Sequence, residues 1–230
     1  FTIPFNSEKV HGISTEIANK NGISLKEAVL KLNEIAIYMR KERMNSGAIS
    51  FDKKEVRFSI NKEKEPTGVY VKESKESNKL VEEFMLLANR KVSEYIGKRN
   101  KKNLFIYRVH DLPDESKIKA LKEVAKSLGY NLDISSRRRM SESLNKMLKQ
   151  IKGKKEQSLI ESLAIRSMSK AEYTTKNIGH YGLSFEYYSH FTSPIRRYPD
   201  VIVHRLLEKY LNKENPSGHE SYNSACEHCT

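Results

Sequence analysis

The stretch that decides how this chain folds and what it binds spans residues 177–207, NIGHYGLSFEYYSHFTSPIRRYPDVIVHRLL. Ser193 and Pro194 predict a helix start, because an oxygen-bearing N-cap is followed by a proline that needs no N–H partner. A second start signal follows directly, in the letters YPD. Arg196 and Arg197 are therefore predicted to lie in a first helical turn, where the helix dipole disfavours cations.

Two interpretations of this arrangement remain open from the residues alone. A bound phosphate would favour the arginines, because backbone N–H groups and guanidinium groups would converge on it. Alternatively, each arginine pairs with a nearby carboxylate. The crowded rings likewise either stack on bases of a single-stranded nucleic acid or pack in a core. These rings are Tyr181, Phe185, Tyr187, Tyr188 and Phe191.

The overall charge favours a polyanionic partner. Lys and Arg number 42 against 29 Asp and Glu, which gives a net charge of +13. Nucleic acid is the first candidate and an acidic membrane surface the second, while a simple solubility surplus is the alternative. No apolar run reaches the roughly 18 residues that a membrane span needs, so we expect no membrane association.

The cysteine content indicates a reducing compartment, and we expect a cytoplasmic protein. Cys226 and Cys229 are the only cysteines, which excludes a disulfide framework. With His219 nearby they offer ligands for zinc, but zinc knuckles space their ligands differently. An incidental pair is the favoured interpretation.

The pattern of elements predicts an α+β fold of mixed helices and mainly antiparallel strands, with no obvious domain break. Apolar spacing and capping residues predict helices at 24–47, 78–96, 114–128, 141–151, 157–168 and 201–211. The capping signals include a capping box of Ser24 with Glu27 and a stop at Gly129. Alternation predicts a strand within 48–60 that pairs with 68–74 across the turn EPTG, a buried strand at 103–110 and a short extended segment at 171–175. The run SSRRRM (135–140) is predicted to be a basic loop.

The letters GHYGLSFEYYSHFTSPIRRYPDVIVHRLL closely resemble the signature of the ribonuclease II/ribonuclease R family, in the later half of its RNB catalytic domain. Three upstream stretches are similar as well, and the wording is nearer to bacterial ribonuclease R than to ribonuclease II. They are LNEIAIYMRKERMNSGAISFDKKEVRF, KESNKLVEEFMLLANRKV and IRSMSKAEYTTKNIGHYGL. The resemblance covers residues 23–230 and leaves 1–22 unassigned. It implies a partial RNB domain from a longer protein, without the upstream metal-binding part or the flanking cold-shock and S1 domains.

This resemblance implies a 3′-to-5′ exoribonuclease that hydrolyses single-stranded RNA to nucleoside 5′-monophosphates. Members use Mg²⁺ held by an aspartate cluster. The family's aspartate pattern is not found here, and Asp111, Asp114 and Glu115 are better interpreted as helix caps. We therefore expect the Mg²⁺ ligands to lie outside this chain and no metal or small-molecule cofactor to bind to it. The fragment alone is expected to be inactive.

Four residues carry the family's RNA contacts by resemblance. Arg196 matches the catalytic arginine on the scissile phosphate, and Arg197 lies beside it. Phe51 matches an aromatic that stacks on a base at the 3′ end, although a core position is the alternative. Glu82 matches an acidic residue near the terminal nucleotides. Supporting positions in the motif are His180, His190, Tyr198 and Asp200.

Two other function classes stay open on the sequence. One is a non-catalytic RNA-binding module built from the same half-domain. The other is a basic DNA-binding or replication factor, which would be indifferent to a ribose 2′-hydroxyl.

Overall fold

The computed structural model describes residues 24–51, 55–72, 75–99, 104–214, 216 and 218–230. Within them lie seven helices and two separate antiparallel sheets of two strands each, which confirms the α+β prediction. The helices are α1 (Leu25–Asn45), α2 (Glu76–Gly97), α3 (Glu115–Ser127), α4 (Arg137–Gln150), α5 (Gln157–Ser167), α6 (Tyr198–Leu211) and α7 (His219–Cys229). The strands are β1 (Glu55–Ile60), β2 (Pro66–Lys72), β3 (Tyr107–Val109) and β4 (Glu172–Thr174).

The chain divides into two compact units, a division that the sequence pattern did not predict. The first unit comprises Phe1–Glu42 and Lys53–Phe84, and the second comprises Arg43–Asp52 and Met85–Thr230. Helices α1 and α2 each continue across a boundary between the units, which is why their unbroken helical periodicity gave no sign of a division.

The first unit holds most of α1 and the β1–β2 hairpin. The predicted capping box is present: the Ser24 hydroxyl accepts a hydrogen bond from the Glu27 backbone N–H at 3.2 Å, and the Glu27 carboxylate accepts one from the Ser24 N–H at 3.0 Å. The predicted EPTG turn is wrong, because Pro66 already pairs with Ile60. The chain reverses between Asn61 and Glu65, whose backbone groups bond at 3.0 Å.

Helix α1 does not bury the apolar stripe that its spacing predicts. Ala36 is its one buried residue, whereas Leu32 and Ile35 are exposed. The other described parts of the first unit are the hairpin and the start of α2.

The second unit contains two larger hydrophobic clusters. One surrounds the buried strand β3 and includes Phe105 and Ile106 together with Val203 and Leu206 of α6. The other joins α3, α4 and α5 through residues such as Leu121, Leu144 and Ile160. The first cluster fixes β3 and α6, and the dense 177–207 stretch leads from contacts with β3 into α6 itself.

Helix boundaries in this unit follow their caps. Asp114 caps α3 by accepting a hydrogen bond from the Lys117 N–H at 3.0 Å. The predicted basic loop SSRRRM is instead the cap and first turn of α4, because the Ser136 hydroxyl accepts from the Arg139 N–H.

Among the helices in the described ranges, none combines the length and apolar character that a membrane crossing requires.

Candidate nucleic-acid interface

The two ends of the segment 179–188 bond to strand β3 and to His110 directly after it, and so place the motif next to the core. The Arg108 N–H donates to the Tyr188 carbonyl at 2.9 Å, and the Tyr181 N–H donates to the His110 carbonyl at 2.7 Å. Gly179 adopts a φ of +80°, a left-handed conformation that favours glycine, and its carbonyl accepts from the His110 N–H. The motif is thereby built on a buried strand.

The aromatic rings of the motif pack inward. Tyr181 is only 2% exposed, and its hydroxyl hydrogen-bonds with the Ser141 hydroxyl at 3.1 Å. Phe185, Tyr187 and Tyr188 are also buried. Of the two interpretations that the sequence left open, core packing is therefore correct for these four rings. Phe191 is half-buried and stacks on His204, with ring centroids 4.0 Å apart.

Two motif histidines lie among these rings. His180 stacks on His110 with centroids 5.0 Å apart, and its Nδ1 accepts a hydrogen bond from the Leu183 N–H. Burial lowers the pKa of His180 to about 3. His190 shares a 2.7 Å hydrogen bond between its Nδ1 and the Tyr173 hydroxyl, and burial, followed by the charge of Arg197, lowers its pKa to about 4. Both imidazoles are neutral at physiological pH.

The segment 191–197, which we name the arginine loop, is not the first helical turn that Ser193 and Pro194 predicted. The N–H groups of Arg196 and Arg197 both donate to the Ser193 carbonyl, which closes one isolated turn. Helix α6 begins afterwards at Tyr198, and Arg197 occupies its N-cap position. The helix therefore begins at the second predicted start signal, the letters YPD, and not at Ser193 and Pro194.

Asp200 organises this loop from the first turn of α6. Its side chain is fully buried, and its Oδ2 accepts from the Ser193 N–H at 2.8 Å and from the Arg197 Nη2 at 2.9 Å. Arg197 is thus a structural ion-pair partner, as the carboxylate-pairing interpretation predicted. Removing one partner of so buried a pair leaves an uncompensated charge.

Arg196 differs from its neighbour. Its side chain is exposed and makes neither a hydrogen bond nor an ion pair with any residue in the described part of the chain. Ile195 and Tyr198 on either side are exposed as well. The loop therefore presents one free guanidinium group, with the exposed Ile195 before it and the exposed ring of Tyr198 nearby at the start of α6.

Sequence reasoning missed Asn89, which lies on α2 within the second unit. It is 3% exposed, its Nδ2 donates to the Tyr188 hydroxyl at 3.2 Å, and its Oδ1 accepts from the N–H groups of Phe191 and Thr192 at 2.9 and 3.2 Å. An asparagine among apolar residues on a buried helical face, in the letters LLAN, is the signal that could have found it.

Phe51 and Glu82 occupy different surroundings. Phe51 is half-buried against the cluster of α3, α4 and α5, in the second unit. The loop before it is held by Asn145, whose Nδ2 donates to the Ala48 carbonyl at 2.8 Å and whose Oδ1 accepts from the Ser50 N–H at 3.4 Å. Glu82 is exposed on the part of α2 that belongs to the first unit.

The described residues do not fit a metal ion. In the part of the chain that the structure describes, no three His, Cys, Asp or Glu side chains converge in a way that could hold one. Cys226 is buried, and desolvation raises the pKa of its thiol to about 11. Mg²⁺ is thus not assigned to any described residue, and zinc at Cys226 and Cys229 is not supported.

Comparison with known proteins places this geometry in a family. The RNB domain matches residues 5–213. Ribonuclease R of Aquifex aeolicus is 36% identical over 191 residues, which are 83% of this chain and 27% of that protein. DIS3-like exonuclease 2 of Schizosaccharomyces pombe is 40% identical over 196 residues, 82% of this chain and 21% of that protein. The chain thus spans about a quarter of the length of these relatives.

The fold comparison agrees. The apo form of Mycoplasma genitalium RNase R superposes with a TM-score of 0.70 at 26% identity, over 87% of this chain and 32% of that one. The boundary predicted between residues 22 and 23 stays a prediction, although the family match begins earlier. As the arginine-containing motif predicted, the chain belongs to the RNB domain family, that of ribonuclease II and ribonuclease R.

Proposed function

We propose that the protein to which this chain belongs is a 3′-to-5′ exoribonuclease that hydrolyses single-stranded RNA to nucleoside 5′-monophosphates. This chain contributes part of the RNA channel and the contact with the scissile phosphate. The proposal is supported by membership of the RNB domain family and by relatives named ribonuclease R and DIS3-like exonuclease 2.

The observation that carries the proposal is the free guanidinium of Arg196. A cation that is exposed on a loop fixed by a buried carboxylate costs little desolvation in the free protein, and the backbone that carries it is held in place before RNA arrives. Its donors stabilise a phosphoryl group most when negative charge develops on it, so they favour the transition state over the bound substrate. Arg196 is therefore assigned as the catalytic residue of this chain.

The other RNA contacts follow from the family resemblance. Phe51 stacks on a base near the 3′ end, and Glu82 accepts a hydrogen bond from a terminal ribose hydroxyl. Arg197 contacts RNA beside Arg196 by the same resemblance, and its pair with Asp200 also fixes the loop. His180, His190, Tyr198 and Asp200 support the site.

The proposal also covers the metal ion, the compartment and the nucleic acid of the parent enzyme, which are Mg²⁺, the cytoplasm and single-stranded RNA. Mg²⁺ in the parent enzyme is bound by residues outside the described part of this chain, and it supplies the Lewis acidity and activated water of hydrolysis. The excess of basic residues gives the affinity for single-stranded RNA, and the two cysteines fit the cytoplasm.

The experiment uses the full-length parent enzyme with single-stranded RNA labelled at its 5′ end. We expect stepwise shortening from the 3′ end with release of nucleoside 5′-monophosphates. Arg196→Ala should abolish most turnover, while Arg205→Ala, which removes an equally exposed charge on α6, should not. RNA binding without release of mononucleotides would instead establish a non-catalytic binding module, and equal binding of DNA would favour the DNA-binding class.

A further inference from the structure

The backbone of the arginine loop is held by side chains from two different helices. Asn89 of α2 accepts from the N–H groups of Phe191 and Thr192, and Asp200 of α6 accepts from the N–H of Ser193. Three successive backbone donors therefore end on two buried side chains. These bonds leave the loop backbone little freedom to shift on the N-terminal side of Arg196, the residue that we assign to the scissile phosphate.

Both polar atoms of the Asn89 side-chain amide make hydrogen bonds. Its oxygen takes the two loop N–H groups, while its Nδ2 donates to the Tyr188 hydroxyl in the core. The Phe191 carbonyl is held in turn by the Nε2 of His204 at 2.9 Å. A side chain without an acceptor would leave both loop N–H groups unsatisfied, at a cost in stability.

We propose that Asn89 is a positioning residue for Arg196: it fixes the path of the arginine loop so that the free guanidinium points at the scissile phosphate. Asn89 itself does not touch RNA in this role. The inference rests on the proposed function, because it assigns to Asn89 an effect that is transmitted only through the catalytic arginine.

A small displacement of the arginine is enough to matter. Misplacing a catalytic group by about 1 Å costs up to about 100-fold in rate, whereas binding that depends on the overall charge changes little. Asn89→Leu in the full-length enzyme should therefore lower kcat by about 10- to 100-fold and leave the Kd for RNA within about threefold.

The decisive test is a double-mutant cycle with Arg196. If Asn89 acts through the arginine, Asn89→Leu should reduce kcat by less than about threefold in an Arg196→Ala background, because the group that it positions is already gone. Asn89→Asp keeps an oxygen for the two loop N–H groups, and the Tyr188 hydroxyl can donate to it. Its buried carboxylate lowers the melting temperature, but at a temperature where the variant is folded it should have most of the kcat that Asn89→Leu loses.

A residue on the same helix provides the control for effects that come only from lost stability. Ser93 is buried one turn after Asn89, and its hydroxyl bonds only to helix carbonyls, so Ser93→Ala removes a buried hydrogen bond without touching the loop. Its kcat should stay at the wild-type level. Equal losses for Asn89→Leu with and without Arg196 would overturn the inference, and so would a Ser93→Ala variant that loses as much kcat as Asn89→Leu for the same fall in melting temperature. A wild-type enzyme without nuclease activity would overturn the proposed function instead.

Discussion

The two units use polar and apolar side chains in opposite ways. Around the arginine loop the second unit buries an aspartate and an asparagine and half-buries two neutral histidines, and it gives one carboxylate oxygen and both ends of the amide defined hydrogen bonds. In the first unit the hairpin exposes a row of apolar side chains, Val56, Phe58, Ile60, Val69 and Val71, which the pairing places on one face. Buried polar groups that are satisfied specify one backbone arrangement, whereas exposed apolar groups add little stability to the described unit.

The largest expected difference between the two units is in how their stability responds to a lower pH. The folded protein holds the pKa of His180 at about 3 and that of His190 at about 4, below the ordinary value of 6.5 that applies in the unfolded chain. Between pH 6.5 and about 4 the unfolded chain binds protons that the folded chain does not. The free energy of unfolding should therefore be highest above pH 6.5 and fall by up to about 1.4 kcal/mol per pH unit for each histidine.

Denaturant titrations of the chain at a series of pH values measure this slope. His190→Asn retains a polar side chain beside the Tyr173 hydroxyl but cannot titrate, so its curve should be shallower than that of the wild type. The described residues of the first unit contain no histidine. Identical slopes for variant and wild type would mean that His190 is not held neutral in the folded protein.

The adjacent arginines give the next largest effect. Arg196→Lys keeps the charge but loses the planar fork, and should reduce turnover of the full-length enzyme by about 10²–10³-fold with RNA affinity nearly intact. Its melting temperature should not fall, since the side chain has no partner among the described residues. Arg197→Ala should behave as the reverse case and lower the free energy of unfolding by about 3–5 kcal/mol, because Asp200 is left buried and unpaired.

Turnover, RNA affinity and melting temperature measured on both variants separate catalysis from scaffolding. An Arg196→Lys protein that melts early and turns over normally would make Arg196 a structural residue like its neighbour.

Much of this fold could be predicted from the sequence where local chemistry decides it. The cap of α3 by Asp114, the capping box of α1 and the stop at Gly129, with its φ of +82°, all depend on neighbouring residues. The start at Ser193 and Pro194 failed because a non-local contact won: the buried Asp200 takes the Ser193 N–H, and the helix begins only after Arg197.

The candidate site shows the same limit. The resemblance of the motif was enough to find Arg196, but only the folded chain shows that Arg197 is paired and Arg196 is free. The letters LLAN mark Asn89 as a buried polar residue, but its role could not be assigned from the sequence, because its partners Tyr188, Phe191 and Thr192 lie about a hundred residues away and are brought to it by tertiary packing.

A smaller effect is expected at Phe51, and it tests whether the ring stacks on a base of RNA or only packs against the core. Phe51→Leu keeps most of the apolar volume against the cluster of α3, α4 and α5 but removes the ring face, so the affinity for the 3′ end of single-stranded RNA should fall by about 1–3 kcal/mol. Ile49, which packs against the same cluster, provides the control Ile49→Val. Fluorescence titrations with labelled oligonucleotides measure the affinity. Normal binding by a Phe51→Leu protein that melts early would assign Phe51 to the core alone.

The smallest effect is expected in the first unit. Phe58 is 62% exposed and lies opposite Val69 in the hairpin, so Phe58→Ser removes one cross-strand pair and no core contact. Its cost in the chain should be at most about 1 kcal/mol. Val109→Thr, in the buried strand β3, should cost about 1–3 kcal/mol because it buries a hydroxyl in an apolar cluster. Thermal melts of the two variants compare the units directly. A Phe58→Ser protein that is destabilised as much as Val109→Thr would show that the hairpin face is covered in solution, and the contrast between the two units would then be wrong.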